Sequence, residues 1–509
     1  MMNMWWPGGV TMQDEVIRTI QEGARQNVSV AAFIDHEITE RKASRQWQAM
    51  YDGQEYYLGK HDVLRKRRTA IGNDGKLIDV KNLPNNRFVD NVYRRMVQQK
   101  TNYLLGRPFS VASDSTTYQQ ALSDIFDRAF MRQLKNVGRD ALNCGIGWLY
   151  PYYDEKGVFR FRRFNPVEII PEWKDVDHTQ LDCVTRFYDI VNFTGTVDEI
   201  ITKVELYTPE GVDYYQYYNG LGLQACPPWH TDYVMIDGKG FNWESLPFIP
   251  FKRNAEEQPL ITCCKSLQDG LNTILSNFGD NMQEDERNTI LVLVNYDGTN
   301  LGEFRQNLAT YGAVKVRSTG DGVSGDVKTL QIEVNAENYK AIVQILKQEI
   351  IENCMGYDAK DERMSGTPNQ MNIQSMYNDV DLDASDMETE FQASMDEVLD
   401  FVDLYLLNGG MGDFRKERAT ITFNTSMPMD EAFVIQNAVQ SQGLISDETI
   451  LAHHPWVDDP QAEIERLKKQ KEEERAEASK AYDPFGNQNV NQSNVNPNGK
   501  GEQDPQKGE

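Results

Sequence analysis

The chain has 509 residues, more than one hydrophobic core organises, so several domains or one elongated multi-part subunit are expected. Its 39% apolar, 10% aromatic and 26% charged residues suffice for sizeable cores in a soluble protein. A net charge of −26 excludes a sequence-specific DNA binder, which must neutralise phosphates; it suits a wall past which a duplex slides, because every neutralised phosphate adds counterion-release affinity that holds the duplex back.

No apolar run approaches the length of a bilayer span; Thr289 to Val294, among the longest, suits a buried strand. Met1 to Pro7, with Trp5 and Trp6, lacks the basic and continuous apolar segments of a secretory signal, so the chain is expected to stay in the cytoplasm. Cys144, Cys183, Cys226, Cys263, Cys264 and Cys354 are scattered, with no C-x-x-C pair and no zinc-finger histidine, and read as reduced, mostly buried residues. Cys263 and Cys264, between Ile261 and Leu267, fit a packed helix face.

From Gln13 to Met50 the apolar spacing (Val16, Ile20, then Val30, Phe33, Ile34, Ile38) predicts two helices parted by Asn27 and Ser29. A further helix is predicted from about Asn86 to Leu105, with Phe88, Val92, Met96, Val97, Tyr103 and Leu104 inward and Arg87, Arg94, Arg95 and Lys100 on a solvated face; Gly106 and Pro108 end it. Between Trp148 and Phe251 the pattern turns to strands (Gly147 to Tyr153, Val158 to Phe164, Cys183 to Val191, Ile201 to Tyr207, Val212 to Tyr218) joined by Gly-bearing turns, an antiparallel meander. Tyr214, Tyr215, Tyr217 and Tyr218 resemble a base-stacking platform, but alternating aromatics on paired strands are better read as packing.

Two helices of roughly 30 Å at 1.5 Å per residue, Ile261 to Met282 and Ala336 to Met355, flank a compact insertion that holds a strand at Thr289 to Val294. In the second, Tyr339, Ile342, Leu346 and Ile350 form an apolar stripe opposite Glu337, Lys340, Gln344 and Lys347. That pattern describes two struts with a small module at their tip. A mobile loop, Gly356 to Met371, leads into a long helix from Asn372 to about Leu407; then come a strand, Thr420 to Asn424, a helical region from Asp430 to Lys480, and a tail from Ala481 that has too few apolar residues to order.

No phosphate loop, nucleophile elbow or zinc helix is present, and the six histidines leave little for base-assisted chemistry. His453 and His454 fit a helix connection, and Glu284, Asp285 and Glu286 a solvated helix end. Asp379, Asp381, Asp383 and Glu390 match positions 1, 3, 5 and 12 of a calcium loop. Ala384 stands where that loop needs Gly, Asp386 where it needs an apolar residue, and the helical period runs on; no metal and no cofactor are expected.

The stretch Asn86-Arg87-Phe88-Val89-Asp90-Asn91 through Gln99-Lys100-Thr101-Asn102-Tyr103-Leu104-Leu105-Gly106-Arg107-Pro108 resembles the signature of the portal proteins of tailed double-stranded DNA phages, in particular of the siphophage type. Leu246-Pro247-Phe248-Ile249-Pro250-Phe251-Lys252, Val294-Asn295-Tyr296-Asp297-Gly298, and Ser365-Gly366 leading to Met376-Tyr377 and Asp381-Leu382 follow in the family's order, so that the likeness covers roughly residues 50 to 460. It implies a mainly helical α+β portal fold assembling as a ring, a homo-oligomer of twelve subunits with thirteen admitted in isolation. Its divisions fall as wing 1–258, first stem helix 259–285, clip 286–335, second stem helix 336–355, tunnel loop 356–371, a long helix returning through the wing at 372–429, crown 430–480 and a disordered tail 481–509.

The resemblance also implies a non-enzymatic conduit at the capsid's portal vertex, assembled in the host cytoplasm, through which double-stranded DNA is packaged and ejected. Partners follow: the terminase large subunit, the major capsid and scaffolding proteins, and a head-completion adaptor, with no membrane. Within that frame Lys340, Gln344, Lys347, Lys360 and Arg363 are the candidate DNA-channel residues, and Asn295, Tyr296, Asp297, Gly298 and Thr299 the candidate motor-facing edge. The alternatives are another ring-forming virion component, adaptor or scaffold, and a DNA-packaging enzyme subunit, which would need a phosphate loop.

Overall fold

The computed structural model describes residues 29–71, 76–80, 83–193, 195, 197–218, 220–285, 290–294, 326–330, 336–358, 370–425, 431–452, 454, 456–457 and 460–481. Ser29 starts helix α1 (Val30–Ala43) by accepting the Ala32 amide on its hydroxyl at 3.3 Å. Ser44 ends α1 and caps α2 (Arg45–Tyr57), taking the Trp47 amide at 3.1 Å, so one expected helix is two. The helix expected ahead of Ser29 lies outside the described residues.

After the short antiparallel pair β1 (Thr69–Ile71) and β2 (Leu77–Asp79), helix α3 spans Val92–Leu105. It starts six residues later than the periodicity predicts. Residues 86–91 are not helical, and Asn91 caps α3 by accepting the Arg94 amide at 2.8 Å. Met96, Val97, Tyr103 and Leu104 are buried as expected, while Phe88 is 47% exposed. Strand β3 (Ser110–Ser113) and helices α4 (Thr116–Ile125) and α5 (Arg128–Cys144) follow. Gly145, at φ +83°, stops α5; a Cβ there would come within 1.9 Å of the Glu257 carbonyl oxygen.

The strand region is antiparallel, as its alternation requires, and divides into two larger sheets. β4 (Ile146–Tyr153) lies between β5 (Phe159–Phe164) and β13 (Ile249–Lys252). A meander runs β6 (Ile169–Trp173), β7 (Leu181–Phe193), β8 (Asp198–Thr208), β9 (Gly211–Tyr218), β10 (Gly222–Thr231) in chain order. The pair β11 (Val234–Ile236) and β12 (Lys239–Phe241) precedes β13. Tyr214 packs toward one core while Tyr215 and Tyr217 pack toward another, so these three straddle the pleat as packing residues, and Tyr218 at the strand's end is 40% exposed.

Helix α6 (Lys265–Asp285) follows a short 3-10 turn, Leu260–Cys263. Cys263 is exposed there and departs from the expected packed face; the other five cysteines are buried. Strands β14 (Ile290–Val294) and β15 (Asp326–Leu330) pair antiparallel, and helices α7 (Ala336–Asn353) and α8 (Gln370–Asn408) come next. β16 (Ala419–Thr422) returns to pair with β3. The largest core gathers Met96 and Leu104 of α3, Phe130 and Leu134 of α5, Phe251 of β13 and Met387, Phe391, Met395 and Val398 of α8.

The chain divides into two units, 1–427 and 428–509. The second holds α9 (Glu431–Ser441), α10 (Asp447–Ala452) and α11 (Pro460–Ala481), with His454 in the connection before α11, as expected. The architecture is mixed helix and strand, mainly helical. Among the described residues no helix is long and apolar enough to cross a membrane.

Candidate functional site

Helices α6 and α7, the predicted struts, pack side by side. The Phe278 and Tyr339 rings stand 4.7 Å apart, and Asn281 donates to the Tyr339 hydroxyl at 3.2 Å. The other side of α6 carries a buried polar row at every fourth residue: Gln268, Asn272 and Ser276 at 0% exposure and Asp280 at 2%.

That row reads the backbone of residues 86–93. The Asn86 amide donates to Asp280 Oδ1 at 2.6 Å, Phe88 to Ser276 Oγ at 2.9 Å, Asp90 to Asn272 Oδ1 at 3.0 Å, and Val92 to Gln268 Oε1 at 3.1 Å. The spacing explains the match. Four helical residues rise about 6 Å, close to the repeat of about 6.6 Å between alternate residues of an extended chain. Each side chain therefore meets every second amide, and the stretch 86–91 is held straight and kept out of α3. Burial alone would lift the Asp280 carboxyl. The Asn86 amide and the Lys66 ammonium, 2.7 Å away, outweigh it and hold the group below the usual carboxylate range.

On α7 the candidate channel residues part company. Lys340 and Gln344 are exposed, but Lys347 reaches Asp90 at 2.6 Å and clips α7 to the ladder segment. Within the apolar stripe of α7 Ile350 is buried but Ile342 is 38% exposed, and Ile345 beside the stripe is 52% exposed, so the stripe is only partly covered within one chain. Lys360 and Arg363 lie outside the described residues, as do Asn295, Tyr296, Asp297, Gly298 and Thr299.

Where α7 ends, α3 holds the chain. Gln99 binds Tyr357 on both sides, donating to its carbonyl at 3.0 Å and accepting its amide at 3.1 Å. Lys100 is 4% exposed, against the expectation of a solvated face, because it pairs with Asp383 of α8 at 2.6 Å and donates to the Met355 carbonyl at 3.1 Å. Arg253 completes the group, 3.0 Å from the same carboxylate. Burial lowers the Lys100 pKa, and the Asp383 charge partly opposes it.

The four calcium-spaced residues lie on the unbroken helix α8, where successive positions point about 100° apart and no loop gathers them. Asp381 takes the Tyr103 hydroxyl at 2.7 Å, and Asp383 is committed to Lys100 and Arg253. Sequence reasoning missed both the α6 ladder and the Lys100 cluster. The ladder had a signal, four polar residues at intervals of four; the cluster's partners are up to 283 residues apart and had none.

The phage portal protein, SPP1 Gp6-like, family matches residues 35–477 of the chain. The portal protein of Clostridium phage phiCD119 is 29% identical over 452 residues, covering 86% of this chain and 96% of that protein. That of Bacillus phage SPP1 is 28% identical over 476 residues, covering 91% of each. A solved structure, the neck of a native GTA particle computed with C12 symmetry, aligns at 10% identity and a TM-score of 0.36, over 71% of this chain and 88% of that one.

Proposed function

Because the chain belongs to the SPP1 Gp6-like phage portal protein family, a structural and non-enzymatic component of phage capsids, we propose that its copies form a ring at the portal vertex through which the genome is packaged and ejected. Twelve copies are the proposed number. The observation that carries this reading is the strut pair: α6 and α7 packed together, α6 locked by its polar row, α7 presenting Lys340 and Gln344 on an exposed face. In the proposed assembly α6 and α7 are the stem, 286–335 the clip, 356–371 the tunnel loop and 430–480 the crown. The wing, 1–258, and the long helix within 372–429 surround them.

The stem face carries Lys340 and Gln344 toward the DNA, with Lys360 and Arg363 in the tunnel loop. Lys347 acts at the same face while paired with Asp90. The clip turn, Asn295 to Thr299, faces the terminase large subunit, and other surfaces take the head-completion adaptor, capsid and scaffolding proteins. Electron microscopy of the purified chain is expected to show holed rings about a dozen subunits around. In a packaging assay Lys340→Glu is expected to slow DNA uptake without reducing ring yield. Uptake unchanged by that reversal removes Lys340 from the channel; a chain that stays monomeric removes the ring.

A further inference from the structure

Strands β7 and β8 stay paired to their ends, from Val184 opposite Tyr207 to Phe193 opposite Asp198. Their sheet neighbours stop short: β6 reaches only Arg186 on β7, and β9 reaches only Lys203 on β8. Residues Asp189–Phe193 and Asp198–Thr202 are therefore a two-stranded ribbon, about 17 Å long at 3.4 Å per residue, that projects past the sheet. Val191 and Ile200 face each other across it, and Phe193 shares their side. These three are 67%, 69% and 68% exposed. A two-stranded ribbon is marginally stable alone in water, and an apolar side left open marks a contact surface. The ribbon also carries Asp189, Asp198 and Glu199 and no cation.

A surface of complementary character lies elsewhere on the same chain. A cavity of about 280 Å³ opens between the end of α3 and the first turns of α5. Phe109, Leu134 and Phe423, all buried, line it together with Arg107, Arg132 and Lys135, and no acidic residue takes part. None of these three cations has an ion-pair partner among the described residues. The volume falls just below the range of drug-sized ligand sites and suits a single bulky side chain. The ribbon's apolar side is open to solvent in its own subunit, so it does not fill its own cavity.

We infer that the apolar side of the β7–β8 ribbon of one copy seats Phe193 in the α3–α5 cavity of the next, with Asp198, which lies opposite Phe193 on the same side, against Arg132 and Lys135. A patch that binds a different patch on an identical chain is a heterologous contact, the kind that closes a ring by repetition. The inference rests on the ring reading and supplies a subunit contact for it. Apolar anchoring gives the contact its strength and the opposed charges its register.

The test uses the full chain. Phe193→Asp, and separately the pair Arg132→Glu with Lys135→Glu, are expected to cut ring yield at least tenfold by native mass spectrometry, with far-ultraviolet circular dichroism unchanged. Combining the Arg132 and Lys135 reversals with Asp198→Lys is expected to restore rings. Phe193→Cys with Met131→Cys is expected to give a ladder of covalent oligomers on mild oxidation that neither single variant gives. Normal ring yield in the two disrupted variants, no restoration by the combined reversal, or no ladder from assembled rings overturns this contact and leaves the ring intact as a reading. A wild-type chain that never assembles overturns the ring reading itself.

Discussion

Gln268 satisfies all of its hydrogen-bonding groups without water. Its carbonyl oxygen accepts the Val92 and Tyr93 amides at 3.1 Å each, and its nitrogen donates to the Asp90 carbonyl at 2.7 Å and to Asn272 Oδ1 at 3.2 Å. His61 extends the network, its Nδ1 taking the Asn272 amide group at 2.9 Å while Nε2 faces the Tyr56 carbonyl at 3.2 Å. A buried polar group left unpaired costs about 1–3 kcal/mol, so Gln268→Ala, which strands the Tyr93 amide while Val92 keeps the Asp90 carbonyl at 3.0 Å, is expected to loosen the start of α3 far more than an exposed change does. Hydrogen exchange is the local readout: peptides covering 88–94 are expected to exchange at least tenfold faster in the variant. Gln268→Glu keeps the acceptor but sets a carboxylate against the Asp90 carbonyl, and the same peptides are expected to lose protection. Wild-type protection in both variants would mean that the ladder holds nothing.

Helix α8 has ten acidic residues and no lysine or arginine, so other elements must supply what neutralises it. Toward its start they do: Lys100 and Arg253 meet Asp383, and Tyr103 meets Asp381. Further along, burial above all, and then the neighbouring Asp400, push the Glu397 carboxyl up to about 7, with Lys252 partly opposing. A raised acid pKa means that the folded state binds the proton more tightly than the unfolded one. This group's effect on stability is therefore most favourable below about 4.5, worsens as pH rises to about 7, and is flat above that. Glu397→Gln is expected to raise the melting temperature at pH 8 and to flatten its decline between pH 5 and 7; parallel wild-type and variant curves would refute the assignment. The 3.6-residue period of α8, the meander and both struts were legible in the sequence because each depends on neighbours in the chain. The straight segment 86–91 and the burial of Lys100 were not, because their causes sit on α6 and α8, 178 to 283 residues away.

For the whole molecule the decisive quantity is charge. At −26 per chain a twelve-fold ring would carry on the order of 300 negative charges, so duplex DNA is repelled close to the wall, within a Debye length of about 8 Å at physiological salt, and the field is screened further out. Local attraction must come from cations that are not already spent. On α7 Lys347 is partly spent on Asp90, and Lys340 is the exposed lysine. Affinity for DNA rises with the number of phosphates neutralised at once, and ordinary non-specific binders reach dissociation constants of about 10⁻⁴ to 10⁻⁶ M. The purified assembly is expected to bind a short duplex more weakly than that at 0.15 M salt, as measured by fluorescence anisotropy, with a shallow dependence on salt. Micromolar binding with a steep salt slope would mean a wall that grips, and a strut face lined with unpaired cations, where the described residues of α7 offer Lys340. Subunit contacts escape the same repulsion only if they are short-ranged. That favours an apolar knob with a few opposed charges, as on the β7–β8 ribbon, over any long-range electrostatic attraction between like-charged copies.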